Sequence, residues 1–98
     1  MSSVFSSGRR ASGPRVILYV APGEPGARPA IVAGRRIGGA VVRNRARRVL
    51  RAAWRNLAPL VPEDRHVVVV ARGGISGATT EELETEMLGL LRDLEVLG

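Results

Sequence analysis

The sequence predicts a small α+β domain, and three observations carry that prediction. Residues Arg15 to Ala21 alternate apolar side chains in the manner of a strand, and His66-Val67-Val68-Val69-Val70-Ala71 is a β-branched run of strand length. From Val42 to Leu57 apolar residues recur at helical spacing opposite a band of arginines. The chain closes on a leucine stripe, Leu83, Met87, Leu90, Leu91, Leu94 and Leu97, behind Thr79-Thr80-Glu81-Glu82. Ninety-eight residues with 45% hydrophobic side chains suffice for one modest core, so residues 1–98 are expected to form a single domain.

Taken in order, Val4-Phe5 suit the end of a helical turn that Gly8 stops. Arg9, Arg10 and Arg15 add charge around a turn at Ala11-Ser12-Gly13-Pro14. In the first strand Val16, Leu18 and Val20 should face the core, leaving Ile17 and Tyr19 on the other side. Pro22-Gly23-Glu24-Pro25-Gly26 is a connection by its punctuation, and a second strand is expected from Arg28 to Gly34 through Ile31 and Val32. Gly34-Arg35-Arg36-Ile37-Gly38-Gly39 reads as a flexible basic loop whose amides could approach phosphates. Pro59 and Pro62 end the helix that follows. The valine run is apolar on both faces, which predicts a central, covered strand. Gly73 to Gly77 is a loop, and Thr79 with Glu82 three residues later forms a capping box for the last helix. Glu81, Glu82 and Glu84 at its start suit the helix macrodipole, which accounts for them without catalysis.

The arginine helix is the organising element. Six arginines fall between Arg43 and Arg55. At about 100° per residue, with Arg43 at 0°, Arg47, Arg51, Arg55 and Arg48 lie at about 40°, 80°, 120° and 140°, with Asn44 among them at about 100°. Val42, Ala46, Val49, Leu50, Ala53 and Leu57 occupy the opposite side, which is the predicted core face. Arg45 stands outside the stripe, and Trp54 sits on the seam between the two faces. A merely solvated face is usually laced with opposite charges at i,i+4 spacing, yet no carboxylate occurs from Arg43 to Asn56. Like charges on one face repel, a cost that a polyanion reverses, and guanidinium forks suit phosphate oxygens.

Charge is unevenly spread. Residues 1–72 carry fourteen Arg against Glu24, Glu63 and Asp64, a net of +11, whereas residues 73–98 carry Arg92 against six acids, a net of −5. The basic part is expected to meet an anionic partner. Without cysteine, neither a disulfide framework nor a thiolate metal site is available. No apolar run approaches the roughly 18 residues of a membrane span, and the serine-rich start lacks the apolar middle of a signal peptide. A cytoplasmic protein without a membrane partner is the expectation.

Catalytic groups are scarce. His66 is the only histidine and heads an apolar strand, which favours a structural role. Glu63, Asp64 and His66 on a proline-flanked turn are a weak metal signal. No catalytic or metal residue is assigned, and no small-molecule substrate is expected. The roles of two aromatics remain open: Phe5 is either a core anchor or a base-stacking residue, and Tyr19 either a half-buried sheet tyrosine or a stacking platform.

Together these residues resemble the protein subunit of bacterial ribonuclease P. That family is recognised by an Arg-Asn-Arg helix, to which Arg43-Asn44-Arg45-Ala46-Arg47-Arg48-Val49-Leu50-Arg51-Ala52-Ala53-Trp54-Arg55 is very similar. The flanks agree in order: Phe5 to Arg10, Val16 to Tyr19, Ile31 to Gly39, Val67 to Arg72 and the final leucine-rich helix. The resemblance implies a single domain of order αβββαβα, with a central four-stranded mixed sheet in a ribosomal-protein-like two-layer fold. It further implies a left-handed β-α-β crossover, where spacing alone points to the common right-handed one.

It also implies a function: the catalytic RNA cuts the 5′ leader from precursor tRNA with magnesium ions, while the protein binds that RNA and the leader. Carried over by position, Arg43, Asn44, Arg45, Arg47, Arg48, Arg51 and Arg55, with Arg35 and Arg36 of the preceding loop, are expected to face RNA. Phe5 and Tyr19 match aromatic positions of the leader cleft. Magnesium is expected on the RNA partner, with none held by the protein alone. Three positions depart from the family: Met1 stands where another Phe is usual, Gly34-Arg35-Arg36 replaces a Ser-Lys-Lys run, and Ala52 replaces a Glu. The alternative is a structural or ribosomal RNA-binding module with no part in cleavage. A DNA-binding regulator is disfavoured, because no short helix precedes the arginine helix.

Overall fold

Strict alternation in Val16-Ile17-Leu18-Tyr19-Val20 sets the sheet. In the computed structural model, which describes residues 9–23 and 29–96, strand β2 runs Val16–Pro22 and buries Val16, Leu18 and Val20. Ile17 and Tyr19 are half-buried on the other face. Strand β4, Arg65–Ala71, lies antiparallel to β2, with Val16 opposite Ala71, Leu18 opposite Val69 and Val20 opposite Val67. Directly paired residues share a face, so these six form one buried layer beneath the helices.

Two shorter strands complete the sheet in the order β1-β2-β4-β3. β1, Arg9–Ser12, pairs antiparallel with β2, and β3, Ala30–Val32, pairs parallel with β4. Parallel neighbours need a crossover, which helix α1, Ala40–Leu57, provides. Helix α2 spans Thr80–Asp93. Both helices pack on the Leu18–Val69 face, where Leu50, Ala53, Leu83, Met87 and Leu91 are completely buried. The mixed four-stranded sheet with two helices on one face is the expected α+β fold. The helical turn expected at Val4-Phe5 lies outside the described residues.

The elements differ from expectation where local pattern is thin. β1 carries no apolar alternation, and its last two residues, Ala11 and Ser12, stand where the sequence predicts a turn. The hairpin turn is in fact shorter, closed by the Gly13 N–H donating to the Val16 carbonyl at 2.8 Å. A Cβ at Gly13 would stand 2.5 Å from Glu86 Oε2, so a larger residue there displaces the Glu86 carboxylate. β3 is shorter than the stretch 28–34, and the basic loop after it winds into a 3-10 turn, Arg35–Ile37, that ends at Gly38 with φ 147°. The loop at Gly73 to Gly77 likewise contains a 3-10 turn that buries Ile75.

Periodicity placed the sides of α1 correctly but not the extent of its burial. Ala46, Leu50, Ala53 and Leu57 are buried, whereas Val42 is 40% exposed and Val49 only half-buried. The first turn of α1, with Val41 83% exposed, overhangs the sheet. Trp54, expected on the seam, is buried because its large ring folds into the core cluster against which Ile31 packs. On the sheet's other face Val68 is buried beside Tyr19 and Ala30, while His66 and Val70 are half-buried, so cover there is partial.

The predicted capping box is present. Thr79 Oγ1 accepts from the Glu82 N–H at 3.2 Å, and Glu82 Oε1 accepts from the Thr79 N–H at 3.0 Å. Leu83, Met87, Leu90, Leu91 and Leu94 are buried as expected, and Leu97 lies outside the described residues. Glu86 ties α2 to the β1–β2 hairpin. Its Oε2 accepts from the backbone N–H of both Arg15 and Val16 at 2.9 Å, and its Oε1 meets the Arg15 guanidinium at 3.2 Å.

Candidate nucleic-acid interface

Helix α1 presents arginine to solvent because its apolar stripe is spent on the core. Arg45, Arg48, Arg51 and Arg55 are exposed, as is Asn44, while Arg43 and Arg47 are half-buried. Eighteen residues at about 1.5 Å each give a face about 27 Å long, enough to pass several phosphates. The first turn contains no acid, and Arg55 stands in the last.

Hydrogen bonding sorts the arginines into two groups. Several brace the fold: Arg9 Nη1 donates to the Leu94 carbonyl at the end of α2 (2.9 Å), Arg15 pairs with Glu82 and Glu86, and Arg72 Nη1 donates to the Gly13 carbonyl (3.0 Å). Arg65 pairs with Asp64 at 2.8 Å. By contrast, the side chains of Arg48, Arg51 and Arg55 of α1, with those of Arg35 and Arg36 ahead of it, make no hydrogen bond or ion pair among the described residues. Exposed guanidiniums left unpaired on one helix face are poised for an anion supplied from outside.

Three members of the motif are more constrained than the helical wheel suggests. Arg47 Nη1 donates to Asn44 Oδ1 at 2.8 Å, which aims the guanidinium along the stripe. Arg45, off the stripe, donates from Nη2 to the Ala78 carbonyl just before α2 at 3.3 Å. Arg43 keeps a buried Nε that has no partner among the described residues, so its remaining nitrogens are the ones available outward.

Tyr19 occupies a different surface. It lies on the sheet face turned away from both helices, directly opposite Val68 on β4 and Arg10 on β1. Arg10 is exposed and beside the ring, a neighbour that sequence reasoning counted only as diffuse charge. The β1–β2 register is the signal that finds it. Phe5 lies outside the described residues. The expected RNA contacts thus separate into the α1 stripe and the partly covered sheet face around Tyr19. Among the described residues no three His, Asp or Glu side chains gather as a metal site, and no helix is long and apolar enough to cross a membrane.

A two-layer α+β domain whose crossover helix carries exposed arginines, three of them unpaired among the described residues, has the surface of an RNA-binding protein that works inside a ribonucleoprotein. Residues 1–95 match the family model described as Ribonuclease P. The ribonuclease P protein component of Brevibacillus brevis is 32% identical over 97 residues, covering 97% of this chain and 77% of that protein. Its counterpart from Acidothermus cellulolyticus is 36% identical over 92 residues, covering 91% and 77%. The solved ribonuclease P protein of Staphylococcus aureus superposes with a TM-score of 0.82 at 18% identity, covering 99% of this chain and 90% of that one. For that of Thermotoga maritima the TM-score is 0.79 at 21% identity, covering 92% and 86%. The chain belongs to the bacterial ribonuclease P protein family, whose members are components of a tRNA-processing ribonucleoprotein.

Proposed function

We propose that this chain binds the RNA subunit of ribonuclease P through the α1 stripe and the 5′ leader of precursor tRNA across the sheet face that carries Tyr19. The observation that carries the reading is the set of arginines, Arg48, Arg51 and Arg55, whose side chains are unpaired among the described residues, on a helix face free of carboxylates. Asn44 and Arg47 extend that face toward Arg43, and Arg35 and Arg36 extend it past the helix start. An RNA backbone laid along it exchanges arginine repulsion for charge-assisted hydrogen bonds. An unpaired leader suits the other surface, where the Tyr19 ring offers a stacking plane and Arg10 a cation beside it. Phe5 belongs to the same reading by its sequence position.

In this reading the chain performs no bond-breaking step. Magnesium ions, held by the RNA partner, would supply the activated nucleophile and the leaving-group stabilisation for phosphodiester cleavage. The stripe itself repels cations, which supports placing those ions on the RNA. What the protein adds is positioning: two surfaces on one rigid domain hold catalytic RNA and leader in fixed relation and screen their mutual repulsion. The cytoplasm, where tRNA precursors are made, is the proposed location.

The test is cleavage of a precursor tRNA bearing a 5′ leader by ribonuclease P RNA at low magnesium, with and without the protein. Cleavage restored only when both are present is the expected result. Tight RNA binding with no gain in cleavage would reject the subunit role and leave a structural RNA-binding module.

A further inference from the structure

At the far end of the stripe a groove of about 620 Å³ lies between the start of β3 and the last turns of α1. Pro29, Ile31, Trp54 and Ala58 give it an apolar lining, and Arg51 and Arg55 complete it. Both arginines are exposed and unpaired among the described residues. Residues four apart on a helix stand about 5–6 Å apart at Cβ, so the two guanidiniums can converge on one phosphate.

One further feature fits an occupant with a polar edge. Among the described residues β3 ends the sheet and pairs with β4 alone, which places backbone N–H and C=O groups beside the apolar lining.

The geometry points to this groove as a pocket for one unpaired nucleotide of the RNA lying along α1, with its base against Ile31, Trp54 and Ala58 and its phosphate between Arg51 and Arg55. Charge complementarity selects the occupant: an apolar ligand leaves both cations unused, and a bare anion leaves the lining wet. A duplex keeps its bases stacked inside and cannot reach the lining, whereas an unpaired base can. The inference rests on α1 being the RNA-binding element and adds that it recognises an unpaired residue as well as backbone charge.

Trp54 is the only tryptophan, so its emission reports this groove directly. The experiment titrates the intact protein with three RNAs: a ten-nucleotide single strand, a hairpin of equal phosphate count, and the single strand with abasic sites. Binding is followed by anisotropy of an end label and the groove by Trp54 emission. The single strand is expected to quench or shift the emission, with the hairpin and the abasic strand binding but leaving it unchanged. Arg51→Ala with Arg55→Ala should weaken single-strand binding by roughly tenfold or more and abolish the emission change. Tyr19→Ala, which removes single-strand binding at the proposed leader surface, should lower total binding but keep the emission change, since Tyr19 lies on the opposite sheet face.

Single-strand binding with unaltered Trp54 emission, or equal changes from all three RNAs, overturns the groove while leaving the α1 stripe standing. Absence of any RNA binding overturns both together.

Discussion

Asn44 and Arg47 stand one turn apart on α1, and the Arg47 guanidinium donates to Asn44 Oδ1 across 2.8 Å. The bond occupies a single acceptor on an exposed side chain, so its worth to the isolated fold is about 0.2–0.5 kcal/mol. Its larger consequence is orientation, because a guanidinium already held along the stripe loses less freedom on meeting a phosphate.

Asn44→Ala therefore separates stability from binding. Alanine is the better helix former by up to about 0.7 kcal/mol, so thermal stability should hold or rise slightly while affinity for ribonuclease P RNA falls several-fold. A double-mutant cycle with Arg47→Ala should show coupling in binding. Additive losses would mean that Asn44 contacts RNA independently of Arg47.

Arg48 is exposed and unpaired among the described residues, which makes Arg48→Ala a clean probe of backbone contact. The salt dependence of RNA binding should lose about 0.7–0.9 in the slope of log K against log salt, the share of one phosphate. The melting temperature should stay within about 2 °C. A large fall in stability with an unchanged slope would show that Arg48 belongs to the fold and not to the interface.

For the sheet face, Tyr19→Ala should weaken binding of leader-bearing precursor tRNA about tenfold, from a stacking contribution of about 1–3 kcal/mol. Mature tRNA lacking the leader serves as the comparison and should bind as before. Arg10→Ala should act in the same direction, more weakly and with greater salt sensitivity. Equal losses with and without the leader would remove both residues from a leader site.

Much of this architecture was written in local pattern, and what was missed has physical causes. Alternation through Leu18 and β-branching at Val69 specified the two central strands because both bury one face completely. β1 escaped notice because Arg9, Arg10 and Ser12 are exposed and its placement comes from backbone pairing with β2, which leaves no hydrophobic trace. A helical wheel gives the direction of the core but not its edge, hence the overreach at Val42. It also ranks Arg45 by angle alone, although the carbonyl it reaches belongs to Ala78, thirty-three residues away. Sorting bracing arginines from unpaired ones requires such long-range contacts, so the stripe was legible and its division of labour was not.

Glu86 is the bracing residue with most at stake. Its side chain is 8% exposed, and it accepts two backbone N–H bonds besides facing Arg15. Glu86→Ala leaves those N–H groups and the guanidinium without their acceptor, and hydrogen bonds to a charged group contribute about 1.5–3 kcal/mol each in net terms. With water compensating in part, a loss of about 2–3 kcal/mol in unfolding free energy is expected, read by urea denaturation. RNA affinity measured well below the melting temperature should be nearly unchanged. A variant as stable as the parent would show that water replaces the carboxylate at the hairpin turn.

The capping box gives the fold an acid-dependent component whose sign can be worked out. The Thr79 backbone N–H and hydroxyl, and then the Arg15 charge, hold the Glu82 carboxyl below its ordinary value of 4.5. A carboxyl with a lower pKa in the folded state than in the unfolded one releases its proton more readily when folded. Its contribution to stability is complete above about pH 4.5 and is lost as the pH falls toward and through the folded value. Unfolding free energy measured from pH 6 down to pH 3 should therefore decline more steeply in the parent than in Glu82→Gln, which carries no titrating group at this position. Thr79→Ala should flatten the curve in the same way, because it removes one bond that stabilises the carboxylate while lowering stability at neutral pH by about 1 kcal/mol. Parallel pH curves for parent and Glu82→Gln would show that this carboxylate is not the source of the acid sensitivity.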